Sequence, residues 1–129
     1  MRKNITTIVL LILALFVLSA CGSKSKVSDK LTNTRYSSSW SAFGSNITVE
    51  YKFGEKGALT RDRKQIYPSG ETEHNTSFGY FEVQNNEIKC FTKSDASEEK
   101  FSEQTLTYSE NSDGTLTLYD SSNRAYKRR

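Results

Sequence analysis

The run Asn46 to Phe53, NITVEYKF, constrains this chain more than any other segment. Ile47, Val49, Tyr51 and Phe53 alternate with Thr48, Glu50 and Lys52. A strand places such a period-two set on one face, whereas a helix scatters it around its axis. The segment therefore predicts a strand with one buried and one wet side.

The rest of the chain repeats the pattern between turn signals. Tyr36 to Phe43 predicts a first strand carrying Trp40. After Asn46 to Phe53, Gly54-Glu55-Lys56-Gly57 predicts a tight turn into Ala58 to Tyr67. Pro68-Ser69-Gly70 opens a polar loop through His74. Ser77 to Val83 and Glu87 to Thr92 flank an Asn85-Asn86 turn. A charged connection, Lys93 to Lys100, leads to Phe101 to Ser109. Asn111-Ser112-Asp113-Gly114 is a hairpin signal, because Asp-Gly tolerates positive φ. Thr115 to Tyr119 and a short strand near Ala125 to Lys127 close the series.

About eight short strands joined in sequence predict an all-β fold. An antiparallel up-and-down meander of this kind removes its exposed edges by closing into a small barrel. The expected core is Trp40, Val49, Tyr51, Phe53, Phe81, Val83, Ile88, Leu106, Tyr108, Leu116 and Leu118. Trp40 is expected to close the barrel's base as a packing residue rather than a ligand contact. Phe78-Gly79-Tyr80-Phe81 is apolar on both faces, which suggests a bulge at Gly79.

The amino-terminal segment has a different character. Arg2 and Lys3 precede the aliphatic run Ile8 to Val17, and small residues follow at Ser19 and Ala20. This is the order of a secretory signal peptide. Ile5 to Ala20 falls short of the roughly 20 apolar residues that span a bilayer. Leu18-Ser19-Ala20-Cys21 resembles the lipobox of bacterial prolipoproteins. That resemblance implies removal of residues 1–20, lipidation of Cys21 and an extracytoplasmic location, on a cell surface or facing a periplasm. Two acyl chains hold a protein stably at a membrane where one does not. Residues 21–33, polar and rich in Ser and Lys, read as a lipidated flexible tether. The folded domain is then 34–129.

The domain resembles the small lipocalin-like domains of bacterial lipoproteins. The residues that carry the likeness are Trp40, Tyr51-Lys52-Phe53 before Gly57, Gly79-Tyr80-Phe81 before Asn85-Asn86, and Tyr108 with Asp113 to Leu118 and Tyr126-Lys127. One departure is Ser38, where that group usually has Gly. The resemblance implies a small barrel, in some members with an apolar ligand cavity, and no single activity.

Candidate chemistry is sparse. The full chain has 18 Lys+Arg against 15 Asp+Glu. Removal of Arg2 and Lys3 leaves 16 against 15, about +1, so the chain is a poor general nucleic-acid binder. With Cys21 assigned to lipid, Cys90 stands alone, and its alternation with Ile88 predicts an inward, inert thiol. His74 reads as a solvated loop residue, no catalytic triad or metal-ligand pattern forms around it, and no cofactor is expected. Arg61, Arg63 and Lys64, and the terminal cluster Arg124, Lys127, Arg128 and Arg129, read as surface charge that aids solubility and guards strand edges, the alternative being contact with anionic envelope polymer or lipid head groups. Tyr67, Phe78, Tyr80 and Phe91 exceed what one small core needs and form a candidate partner patch.

The sequence thus points to a membrane-anchored, non-enzymatic binding or interaction module of the cell envelope. Its expected contacts are the membrane through Cys21 and a small apolar ligand or envelope protein. The alternative is a lipocalin-like carrier of a small apolar molecule. Cys21→Ser is expected to abolish incorporation of a fatty-acid probe during metabolic labelling and to release the protein from the membrane fraction. Equal labelling of both forms would remove the lipid anchor from the account.

Overall fold

A computed structural model describes residues 27–129. Residues 1–20, read above as a signal peptide, Cys21, and residues 22–26, read as tether, lie outside the described residues. Eight strands form one closed antiparallel barrel in sequential order. They are β1 (Thr34–Ala42), β2 (Ser45–Phe53), β3 (Ala58–Ile66), β4 (Thr72–Gln84), β5 (Glu87–Lys93), β6 (Ser102–Glu110), β7 (Leu116–Tyr119) and β8 (Ala125–Arg128). The all-β, up-and-down barrel expected from the sequence is therefore present.

Alternation sets the inside of the barrel. Along β2, Ser45, Ile47, Val49, Tyr51 and Phe53 are buried, and the residues between them are not. β1 to β5 pair along nearly their full lengths, from Thr34↔Phe53 through Gln84↔Glu87. The closing seam is far shorter. β1 meets β8 only through Tyr36↔Arg128 and Ser37↔Lys127, supplemented by the Arg129 N–H donating to the Arg35 carbonyl at 2.9 Å. Ser38 to Ala42 therefore rise past the last β8 pair. We call the end where the chain enters at Thr34 the lower end, and the end carrying the β1–β2 hairpin the upper end.

The two-residue turns follow the backbone needs of hairpins. Asn85 and Asn86 both have positive φ, 48° and 64°, as a tight turn compatible with strand twist requires. At the β1–β2 hairpin the same positions are Phe43 and Gly44, with φ of 51° and 77°. Phe43 is thus a strand-end residue in the sequence reading but a fully exposed turn residue in the fold.

Four other expectations are corrected. Residues 27–31 are helical, so the tether reading fails from Val27 onward. Leu31 has no exposed surface and joins the core. The Thr34 hydroxyl donates to the Leu31 carbonyl, and Lys30 pairs with Glu110 at 2.7 Å. One buried leucine and its tie to β1, invisible in a polar stretch, hold this segment against the lower end. β4 begins at Thr72, so His74 lies in a strand, paired in register with Lys64. No bulge forms at Gly79, which pairs regularly with Leu59 and Thr92. A Cβ there would stand 1.8 Å from the Phe91 carbonyl oxygen. Glycine permits that close backbone approach, and the double apolar faces of this strand are real.

Trp40 does not close the base of the barrel. It is half-buried near the upper end, packed against the core rather than within it. The base is filled instead by Tyr36, Phe53, Leu59, Phe81 and Leu31, all buried. Of the expected core, Val49, Tyr51, Phe53, Phe81, Ile88, Leu106, Leu116 and Leu118 are buried, while Trp40, Val83 and Tyr108 border it.

Leu31→Ala is expected to cost about 2–5 kcal/mol, the usual range for truncating a buried leucine. Urea denaturation of the full chain checks this. A midpoint unchanged from wild type would show that residues 27–31 merely rest on the barrel.

Candidate functional site

The inward face does not stay apolar along its whole length. On β3 the residues sharing a face with buried Leu59 are Arg61, Arg63 and Gln65. They pair in register with Tyr51, Val49 and Ile47 of the inward face of β2. The surface-charge reading of Arg61 and Arg63 is therefore corrected, whereas Lys64 is exposed as expected. Nothing in the residue types could have set the phase: Arg61-Asp62-Arg63-Lys64 is charged on both faces. Only the register against β2 turns Arg61 and Arg63 inward.

These arginines line a cavity of about 430 Å³ at the upper end. That volume lies within the range usual for small-molecule sites. Its floor is Val49, Tyr51, Leu106 and Tyr126, and its walls include Trp40, Arg61, Arg63, Gln104 and Arg124. It lies between β1, the upper parts of β3 and β6, and the turn from Asp120 to Arg124. There the Arg124 guanidinium covers the Trp40 ring at 4.1 Å, a contact that joins β1 to the turn before β8.

Asp120 organises this wall. It accepts hydrogen bonds from the Ser122 and Arg124 backbone N–H groups at 2.9 and 3.0 Å, and from the Tyr126 hydroxyl at 3.1 Å. The Arg124 side chain adds a charged contact at 3.4 Å. Burial pushes the Asp120 carboxyl upward, but these donors together outweigh it and hold the carboxyl below its ordinary value. Below the cavity, burial and the neighbouring Tyr51 and Asp120 push the Tyr126 phenol above its ordinary range.

Arg61 donates from Nε to the Tyr51 hydroxyl at 3.2 Å, and its guanidinium lies 5.7 Å from that ring centre. Arg63 donates to Gln65 Oε1 at 3.1 Å. Cys90 is completely buried beneath them. Burial pushes its thiol up to about 12, with Arg61 opposing. That thiol stays protonated at neutral pH and is a poor nucleophile.

The remaining sequence candidates stand elsewhere. His74 Nε2 lies 3.8 Å from Asp62 on the outer wall. Asp62 also meets Lys52 at 3.3 Å and accepts from Thr76 at 2.7 Å. His74 is therefore part of an external ladder, not of the cavity. Among the described residues no group of three or more His, Cys, Asp or Glu side chains is placed to hold a metal ion. Tyr80 stacks on Phe91 at 4.8 Å and meets Phe101 edge-on at 5.3 Å. Phe78, Tyr80 and Phe101 are each about 40 % exposed on the outer wall. Tyr67 stands apart from them, bonded to Glu73. Of the terminal basic cluster, Arg124 belongs to the cavity, and Arg129 reaches Glu50 at 3.1 Å on the outside.

No protein-family model, curated protein or solved structure matches this chain.

In the Cys21→Ser protein, Cys90 is expected to ignore Ellman's reagent at pH 8 until denaturant is added, then to react stoichiometrically. Prompt reaction in the native state would contradict the buried, protonated thiol.

Proposed function

We propose that this protein is a lipid-anchored, extracytoplasmic binding module that acts by holding a ligand rather than transforming one. The cavity at the upper end carries this reading. It is concave and partly apolar, with a few converging polar groups, which is the usual character of a small-molecule site. The nucleophile and the imidazole that chemistry would draw on stand apart from it, Cys90 sealed in the core and His74 on the outer wall.

The geometry also suits an anchor at Cys21. Residue 27 leads into the lower end through Leu31 and Thr34, while the cavity lies toward the opposite end. An attachment at Cys21 would join the domain from its lower end, away from the cavity-lining residues. A lipocalin-like carrier of a wholly apolar molecule is the second reading, supported by the closed barrel and the Trp40 ring in the cavity wall. The arginine-bearing walls weigh against it, because an apolar occupant would strip water from guanidinium groups without replacing their hydrogen bonds.

Native mass spectrometry of the full-length protein from its own host tests the binding reading. The expected result is a small-molecule adduct released on denaturation. A bare polypeptide mass, from a preparation never exposed to denaturant, would overturn it.

A further inference from the structure

We propose that the upper cavity is a site for an organic anion, its carboxylate or phosphate group held by Arg61 and Arg63 and its organic remainder lying against the half-buried Trp40. The inference rests on the binding reading above and names the class of ligand.

Two inward guanidinium groups lack a nearby counter-charge among the described residues. Inside the barrel, Arg61 and Arg63 are only partly exposed, and among the described residues each has a single neutral hydrogen-bond partner, Tyr51 or Gln65. A guanidinium carries five N–H donors. Among the described residues no carboxylate lies within 4.0 Å of either one. Removing a cation from water without a counter-charge is costly, and an anion that enters recovers that cost.

The carboxylates already in the cavity wall do not serve. Asp120 is engaged by Arg124, Ser122 and Tyr126. Glu103 pairs with Lys89 at 3.5 Å. The outer wall provides the contrast. Lys52 is matched to Asp62, Lys89 to Glu87 and Arg129 to Glu50, at 3.1–3.3 Å. Asp62 itself, between the two arginines in sequence, turns outward to Lys52. Several outer cations are matched in this way, whereas Arg61 and Arg63 have only neutral hydrogen-bond partners among the described residues, with Glu73 acting on Arg63 from a distance, and both line a space of ligand size.

The planar fork of arginine matches carboxylate and phosphate alike, so the shared chemistry is an oxyanion on an organic body. Trp40 supplies a reporter, being the chain's only tryptophan and part of the cavity wall. The probe is dansylglycine, with its neutral amide as the control. Binding is read as energy transfer from Trp40 to the dansyl group, using the full-length protein in non-ionic detergent and a buffer without phosphate.

The acid is expected to bind at least about ten-fold more tightly than the amide, the effect of one modest charge-assisted contact. R63Q, which leaves the Arg61–Tyr51 contact in place, should remove most of that preference, and R61Q/R63Q all of it. K64Q, on the outer face of the same strand, should leave it intact. Displacement by acetate rather than by inorganic phosphate, or the reverse, identifies which oxyanion the forks prefer. Equal affinity for acid and amide would overturn the anion site while leaving a binding module standing. A preference that survives R61Q/R63Q, or that K64Q lowers as much as R63Q does, would likewise overturn it. Binding of neither probe, with a bare native mass, would remove both readings together.

Discussion

A line of aromatic rings across the barrel interior holds the rest of the structure in place. Phe81 of β4 meets Phe53 of β2 edge-on at 5.0 Å. Phe53 in turn meets Tyr36 of β1 at 6.0 Å and Tyr51 at 6.2 Å. Tyr51 reaches Tyr126 of β8 at 5.5 Å. Each such pair adds roughly 0.5–1.5 kcal/mol beyond its buried area. The last link matters most, because β8 is only four residues long and its ladder to β1 has two register pairs. The closing seam is held by packing across the interior as much as by hydrogen bonds along its edge.

The same packing divides the interior into two regions. The large rings fill the interior of the lower and middle barrel. Above Tyr51 and Tyr126 the inward residues shift to Arg61, Arg63, Gln104 and Trp40, and the space between them stays open. Tyr51 belongs to both regions: its ring packs on Phe53, and its hydroxyl accepts from Arg61. A core residue thereby orients the guanidinium that we assign to ligand binding.

Opposite faces of the same strands serve different physical ends. The outer ladder of Glu50, Lys52, Asp62, Thr76 and His74 is a wet ion network, and such surface pairs contribute little each, about 0–1 kcal/mol. The inner face of those strands carries the core and the cavity. A one-residue slip of β3 against β2 would exchange these roles, turning Asp62 inward and Arg61 and Arg63 out. The position of buried Leu59 opposite Phe53 is one anchor against that slip.

The amino-acid sequence by itself determined the fold class, the order of the strands and most of the turns. Alternation and turn chemistry are local, so NITVEYKF, Asn85-Asn86 and Asp113-Gly114 declare themselves without help from distant residues. It also placed most of the core, because Val49, Ile88, Leu106 and Leu118 follow directly from that alternation. What only the tertiary structure decided is everything that depends on register and on contacts between distant segments. Leu31 reads as one apolar residue in a polar linker until the barrel's lower end offers it a pocket. Trp40 reads as core until the short β8 leaves its upper flank open to Arg124. Arg61 and Arg63 read as surface charge, because a strand charged on both faces has no phase of its own. The buried faces of β2 and β4 supply that phase, and with it they make the candidate site.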